Sequence, residues 1–368
     1  MKISQDSYEG VGYQMETKVI QIQQNTSKFL PEEEEGLRQA GEVIRRGGLV
    51  AFPTETVYGL GGDALNKESS GKIYAAKGRP SDNPLIVHIY RMEDIDLIVK
   101  EMSWEAEKLA KRFWPGPLTM IFKKSDAVPL ETTGGLDTVA VRMPSNPIAQ
   151  RLIAYSGGYV AAPSANTSGK PSPTVAKYVE EDMAGKIELI VDGGEVGIGL
   201  ESTIVDMTVS PPQILRPGYI TEKMLREVLE DVDTDVTIMR DDSGQAPRAP
   251  GMKYRHYAPK GDLTIITGTP EKVAEYINSH AVQDRKDGEK VGVIGTEEML
   301  DRYCADVIKS VGRRNDEQSI AKHLYTILRE FDDENVTKIY SEGFTTDGLG
   351  QAIMNRLLKA AGHKIVHL

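Results

Sequence analysis

Two α/β domains in series are what this chain predicts: a mixed α/β domain first and a smaller Rossmann-like α/β domain after it. Three observations carry that expectation. The 368 residues exceed the ~150 residues of a single ordinary domain. Residues 241–249 are dominated by Asp, Ser, Gly and Pro, the composition of a linker. Beyond residue 262, strand and helix patterns alternate regularly, which implies a parallel sheet with helices outside it.

The first confident element opens at Pro31. Glu occupies 32–35, Leu37, Ala40, Val43 and Ile44 share one face, Arg45 and Arg46 close the last turn, and Gly47 and Gly48 follow. Acids first, bases last and glycine beyond are what a helix dipole and C-cap favour. The apolar run 49–52, ending at Pro53, reads as a buried strand. Further strands are expected at 85–89, 118–122, 139–141, 160–162, 189–191 and 203–205, and helices at 69–77, 103–112, 147–155, 175–183 and 221–229. In the second domain the strands are 263–266, 291–294 and 337–340, and the helices 270–279, 296–303, 319–331 and 351–361. The resulting division is an N-terminal extension, partly flexible, over 1–30, a first domain over 31–235, a linker over 236–261 and a second domain over 262–368.

Composition excludes several classes. No window approaches the ~18 uninterrupted apolar residues of a membrane helix. The first fifteen residues are polar, without the apolar core of a secretory leader, and Met15 is an alternative start. The single cysteine, Cys304, cannot form an internal disulfide or a cysteine-rich zinc site, so a reducing cytoplasm is expected. The net charge of −11 counts against a chain whose main work is gripping nucleic acid.

The common catalytic kits are missing. There is no Walker A sequence, and no GxGxxG follows a strand. The glycine-rich stretch 192–199 fits neither spacing and reads as a turn. The six histidines are scattered without metal-ligand spacing. Cys304 has no nearby histidine, so it reads as an inert thiol.

Unusual polar segments instead crowd the ends of predicted strands. The stretch 52–61, FPTETVYGLG, runs from a buried strand into Thr, Glu and Tyr and then glycines, either a plain turn or a polar cup. KGRPSDNPL at 77–85 sets two cations around a glycine. Such cations repel unless an anion lies between them, and an arginine can clamp a phosphate bidentately; a solvated loop is the alternative. AAPSANTSGKPSP at 161–173 packs small hydroxyl and amide residues where donors can approach a ligand, or else caps the next helix. Thr138, Arg142, Ser202 and Arg216 stand singly at strand ends, and PGMKYRHYAP at 250–259 is far too rich in aromatic residues and bases for a spacer.

Taken together, KGRPSDNPL, PTETVYGLG, APSANTSGKPSP, ESTIVD, LRPG and PGMKYRHYAP resemble the YrdC/YwlC family of L-threonylcarbamoyladenylate synthases. With AIMNRLLKAA near the end, the chain is similar to the two-domain form from about Pro31 onward. The resemblance implies a YrdC-like twisted open α/β sheet with a concave basic cleft and a C-terminal Rossmann-like domain. It implies that L-threonine, bicarbonate or CO2, and ATP give threonylcarbamoyl-AMP and pyrophosphate. A separate transferase complex then passes the group to position 37 of tRNAs reading ANN codons. No protein nucleophile is needed, so catalysis is positioning and charge neutralisation.

Residue by residue, the resemblance assigns Lys77, Arg79, Ser164 and Asn166 to the phosphates and the developing charge. Asn83, Thr138, Ser172, Arg216 and Tyr257 join Arg79 and Ser164 around ATP, with Tyr257 folding over the nucleotide as a lid. Thr56, His88, Arg142, Ala162 and Ser202 are implied to hold L-threonine, Arg142 pairing with its carboxylate. Mg²⁺ is expected on the triphosphate, with no protein side chain assigned to it. Two rivals stand beside this reading: an RNA-binding module using the basic cleft for tRNA or other double-stranded RNA, and carbamoyl-adenylate chemistry from carbamoyl phosphate.

Overall fold

The structure, a computed structural model, describes residues 15–23, 28–235, 249 and 256–368. Its first half runs β1 (Lys18–Gln21), α1 (Pro31–Arg45), β2 (Val50–Pro53), β3 (Tyr58–Asp63), α2 (Lys67–Lys77), β4 (Ile86–His88), α3 (Ile95–Ile98), α4 (Trp104–Phe113), β5 (Leu118–Lys123) and β6 (Thr138–Arg142). It continues through α5 (Pro147–Tyr155), β7 (Val160–Ala161), α6 (Ala176–Met183), β8 (Leu189–Asp192), β9 (Thr203–Asp206), β10 (Gln213–Arg216), α7 (Glu222–Arg226) and β11 (Asp233–Thr234). These strands form one mixed sheet in the order β1-β8-β2-β3-β7-β4-β6-β5-β9-β10-β11.

The second half runs β12 (Asp262–Thr267), α8 (Pro270–Lys286), β13 (Val291–Gly295), β14 (Val307–Ser310), α9 (Glu317–Asp333), β15 (Lys338–Glu342), α10 (Leu349–Ala360) and β16 (Ile365–His367). Its sheet, β14-β13-β15-β12-β16, is parallel at every pairing, as the alternating pattern implies.

Four sequence expectations need correcting. Residues 18–21 of the extension form β1, which pairs in parallel with β8; a four-residue KVIQ run is too short for periodicity to reveal. The turn after Pro53 ends at Val57, and Tyr58–Asp63 returns as β3, antiparallel to β2. Its YGLGGD sequence carries little β-propensity, but the glycines are needed: a Cβ on Gly61 would sit 2.8 Å from Phe52 and 2.9 Å from Val160. The segment expected to be a helix at 296–303 is a 3₁₀ turn, Glu297–Arg302. The helix expected over 221–229 stops at Arg226. Of the expected linker, residues 236–248 and 250–255 lie outside the described residues.

The two halves share one apolar seam. Val57, Leu200 and Tyr257 pack in the same buried cluster as Leu324, Tyr325 and Leu357 of α9 and α10. Contact is close at Gly199, where φ is +85° and a Cβ would lie 2.5 Å from Lys322 Cα and 2.6 Å from the Ala321 carbonyl. Only glycine allows α9 to seat there. Among the described residues no helix is long and apolar enough to cross a membrane.

Candidate active site

The β2–β3 turn folds around one hydroxyl. Thr54 Oγ1 donates to the Val57 carbonyl at 2.7 Å and lies 2.8 Å from Thr56 Oγ1, which fixes Thr56 at the mouth of the hairpin. Two strand ends meet beside it. His88 closes β4 in register with Arg142 of β6 and opposite Val160 of β7. His88 Nδ1 lies 3.1 Å from the Ile86 carbonyl; a carbonyl can only accept, so Nδ1 carries the proton. Burial and the Arg142 charge push its pKa down to about 3, so the ring is neutral.

Arg142 is 4% exposed. Its Nη2 lies 2.7 Å from Glu55 Oε1, yet its Nε and Nη2 complete no hydrogen bond among the described residues. Buried guanidinium donors without partners are costly, and a planar carboxylate is the group that satisfies such a fork.

More of the cavity is built by the end of α2 and the loop after β7. Asn66 caps α2 by accepting from the Glu68 N–H, and Gly78 ends it in the left-handed conformation at φ 60°. That turn sends Lys77 and Arg79 in different directions. Lys77 is 2% exposed, and its Nζ donates to the carbonyls of Ser164 and Asn166, each at 2.5 Å. Desolvation holds its pKa well below the ordinary lysine range. Lys77 therefore sits behind the loop and off the cavity wall, whereas the resemblance assigns it to the phosphates. Ser164 Oγ donates to Asn166 Oδ1 at 2.5 Å, and Asn166 Nδ2 donates to the carbonyls of Thr167 and Lys170. The lysine thus fixes the Ser-Ala-Asn turn and leaves its outer face to the cavity.

Arg79 lines the cavity itself. Its Nε donates to the Asn83 carbonyl at 3.1 Å and its Nη2 to Asn83 Oδ1 at 2.6 Å. Asn83 is thereby spent on orienting Arg79 rather than exposed on the wall. Arg216, at the end of β10, donates from Nε to the Ser202 carbonyl at 3.0 Å and from Nη2 to Ser202 Oγ at 3.1 Å; Ser202 Oγ also lies 2.7 Å from Thr119 Oγ1. Ser172 Oγ donates to Glu201 Oε1 at 2.6 Å. Lys170 also reaches the wall, anchored by Asp182 at 2.7 Å.

One cavity gathers eleven of the expected residues: Thr56, Arg79, His88, Arg142, Ala162, Ser164, Asn166, Ser172, Ser202, Arg216 and Tyr257. Lys77 and Asn83 stand one layer behind it. Thr138 begins β6, at the strand end opposite Arg142, and is not on the wall. Tyr257 adopts φ 63°, is 5% exposed, and stacks on Tyr325 at 5.1 Å between centroids. The next residue, Ala258, donates its N–H to the Gly169 carbonyl at 2.9 Å, so the end of the linker is docked on the loop after β7.

Sequence reasoning passed over Glu55, Glu201, His256 and the second-half residues behind the wall. His256 lies in the cavity lining, with Nε2 unpartnered among the described residues; burial and Arg79 push its pKa down to about 3. Arg79, Arg142, Lys170 and Arg216 face the cavity against one carboxylate, Glu201, a basic hollow in an acidic chain. Among the described residues no group of three or more His, Cys, Asp or Glu is arranged to hold a metal.

A family profile described as "Telomere recombination" matches residues 42–218, and one described as "Threonylcarbamoyl-AMP synthase, C-terminal domain" matches 220–362. Threonylcarbamoyl-AMP synthase of Pyrococcus abyssi is 49% identical over 334 residues, 91% of this chain and 96% of that protein. The chain belongs to the threonylcarbamoyl-AMP synthase family. The family's Bacillus subtilis member is 47% identical over 331 residues, covering 90% of this chain and 94% of its own length. The crystal structure of P. abyssi Sua5 complexed with L-threonine superimposes with a TM-score of 0.89 at 45% identity, over 96% of this chain and all of that one. Membership in this family of synthases makes the chain a nucleotidyltransferase-type enzyme.

Proposed function

We propose that this chain makes L-threonylcarbamoyl-AMP from L-threonine, bicarbonate or CO2, and ATP. One observation carries the reading: a single cavity is lined both by Arg142, whose Nε and Nη2 complete no hydrogen bond among the described residues, and by Arg79, Lys170 and Arg216, which we read as an amino-acid end and a nucleotide end. The first end suits an amino-acid carboxylate, with Thr56 and Ser202 supplying hydroxyl contacts and Ala162 a close wall. Neutral His88 beside Arg142 leaves the amino-acid end free of an added positive charge. The second end suits phosphates, with Tyr257 over the nucleotide and Ser164 and Asn166 beside it.

The threonine amine forms a bond to carbon. From CO2 this gives a carbamate and a proton; from bicarbonate, a carbamate and water. The carbamate oxygen then attacks the α-phosphorus, the bond to the β,γ-pyrophosphate breaks, and pyrophosphate leaves. Charge neutralisation by Arg79 and Arg216 and close approach of the reactants supply the acceleration. Mg²⁺ enters as part of the nucleotide substrate: the carboxylate on the wall, Glu201, is occupied by Arg356. The product is a mixed anhydride that a transferase acting on tRNA consumes.

Pyrophosphate release from MgATP, measured with and without L-threonine and bicarbonate, tests the reading. Release that requires both supports it. Release indifferent to threonine overturns it in favour of carbamoyl phosphate chemistry, and no release with salt-sensitive RNA binding overturns it in favour of an RNA-binding module.

A further inference from the structure

The motif AIMNRLLKAA lies along α10, remote in sequence from the cavity, yet its arginine is the largest fully buried side chain among the described residues. Arg356 Nε donates to Glu201 Oε2 at 3.1 Å, and Nη1 to the Pro217 carbonyl at 2.5 Å. One guanidinium therefore holds the residue before Ser202 and the residue after Arg216. Tyr325 of α9 donates its hydroxyl to the same carboxylate at 2.9 Å while its ring supports Tyr257.

We propose that Arg356, acting through Glu201 and alongside Tyr325, is the positioning residue by which the second half sets the nucleotide end of the cavity. The chemistry is one of hydrogen-bond polarity. An ionised carboxylate only accepts, so Ser172 must spend its proton on Glu201. Its oxygen then faces the cavity as an acceptor, the complement of a ribose hydroxyl or an exocyclic amine. Burial alone would push Glu201 up; Arg356 first and Arg216 second hold it down at about 2. Without Arg356 the carboxyl takes a proton, Ser172 loses its fixed direction, and the shared support of Tyr257 loosens.

The kinetic readout rests on the proposed synthesis, so a second readout is chosen that does not. In the full-length chain, R356M, R356K, Y325F, E201Q and the double variant E201M/R356M are compared by thermal melting, by the KM values for ATP and L-threonine in pyrophosphate release, and by amide hydrogen exchange over 163–173. The apolar double variant keeps the test alive where R356M alone fails to fold, because replacing both members of a buried ion pair is tolerated better than removing one. The expected result is a rise in the ATP KM on the order of tenfold, a threonine KM within about twofold of wild type, faster exchange over 163–173, and partial rescue by lysine at 356. Folded E201M/R356M and Y325F proteins with a wild-type ATP KM overturn the proposal. Where the wild-type protein releases no pyrophosphate, the function reading fails by itself, and exchange decides the network: acceleration over 163–173 supports it and an unchanged rate overturns it.

Discussion

In the proposed function, the amino-acid end of the site is concentrated into one side chain, Arg142. Its Nε and Nη2 are buried and complete no hydrogen bond among the described residues, although Nη2 is ion-paired with Glu55, so a bound carboxylate would meet donors that are desolvated but not fully satisfied. Charge-assisted hydrogen bonds contribute about 1.5–3 kcal/mol each. R142A is therefore expected to raise the L-threonine KM by roughly 10- to 150-fold while the ATP KM moves little. Steady-state kinetics with each substrate varied checks this, and an unchanged threonine KM counts against the assignment. At this scale much of the site was legible, because small hydroxyl residues and single cations at strand ends are anomalies that a sequence displays directly. Glu201 was not, because a lone acid before an apolar strand carries no signal until its partner, 155 residues away, is seen beside it. Arg356 did carry one: a charge amid the apolar residues of AIMNRLL is either an error of pattern or a buried ion pair.

Among the elements, the 163–173 loop is the one most dependent on others. Lys77 holds its start from α2. Asp182 of α6 takes the Thr167 N–H and the Lys170 ammonium, and Arg329 of α9 donates to both Asp182 and the Pro171 carbonyl. Three helices thus immobilise a segment without regular structure, which lets it present groups to a ligand with little ordering left to do. K77M keeps the length of the side chain and removes both bonds. It is expected to cut turnover on the order of tenfold or more, although no Lys77 atom lines the cavity, with faster amide exchange confined to 164–168 as the structural signature. Full turnover in a folded K77M protein contradicts the role. Regular elements such as α1 and α5 were readable from caps and periodicity. β3 was hidden because its glycines answer close packing, Gly61 against Phe52 and Val160 and Gly62 against Leu49 and Ile73, a tertiary demand with no local pattern.

Over the whole molecule, stability and the site are linked through the same buried groups. His88 and His256 both have folded pKa values near 3 against an unfolded 6.5. A group depressed on folding stabilises the protein above its unfolded pKa, and that stability is lost as pH falls toward its folded pKa. Each histidine thus favours unfolding by about 1.4 kcal/mol per pH unit below 6.5. Glu201, near 2 against 4.5, adds to the loss only below 4.5. The urea midpoint is expected to drop from pH 6.5 to 4.5, before most carboxylates titrate, and H88Q and H256Q should each flatten that slope. A midpoint constant over that interval argues against buried neutral histidines. The domain arithmetic anticipated two sheets, but not that they close on a common core; linker composition reports where a chain bends and says nothing of what packs across the bend.

Gly199 gives that common core a mechanical meaning. The backbone of α9 rests where a side chain would begin, so any substitution there is a wedge driven into the seam. The lever arms are short and rigid: Arg356 on Glu201 and Arg329 on Asp182 both span the same joint. Charge pairs in a dry interior have no slack with which to follow a widening gap. One methyl group, placed outside the cavity and touching no substrate, would slip the joint and spoil the register of every group the second half holds in place.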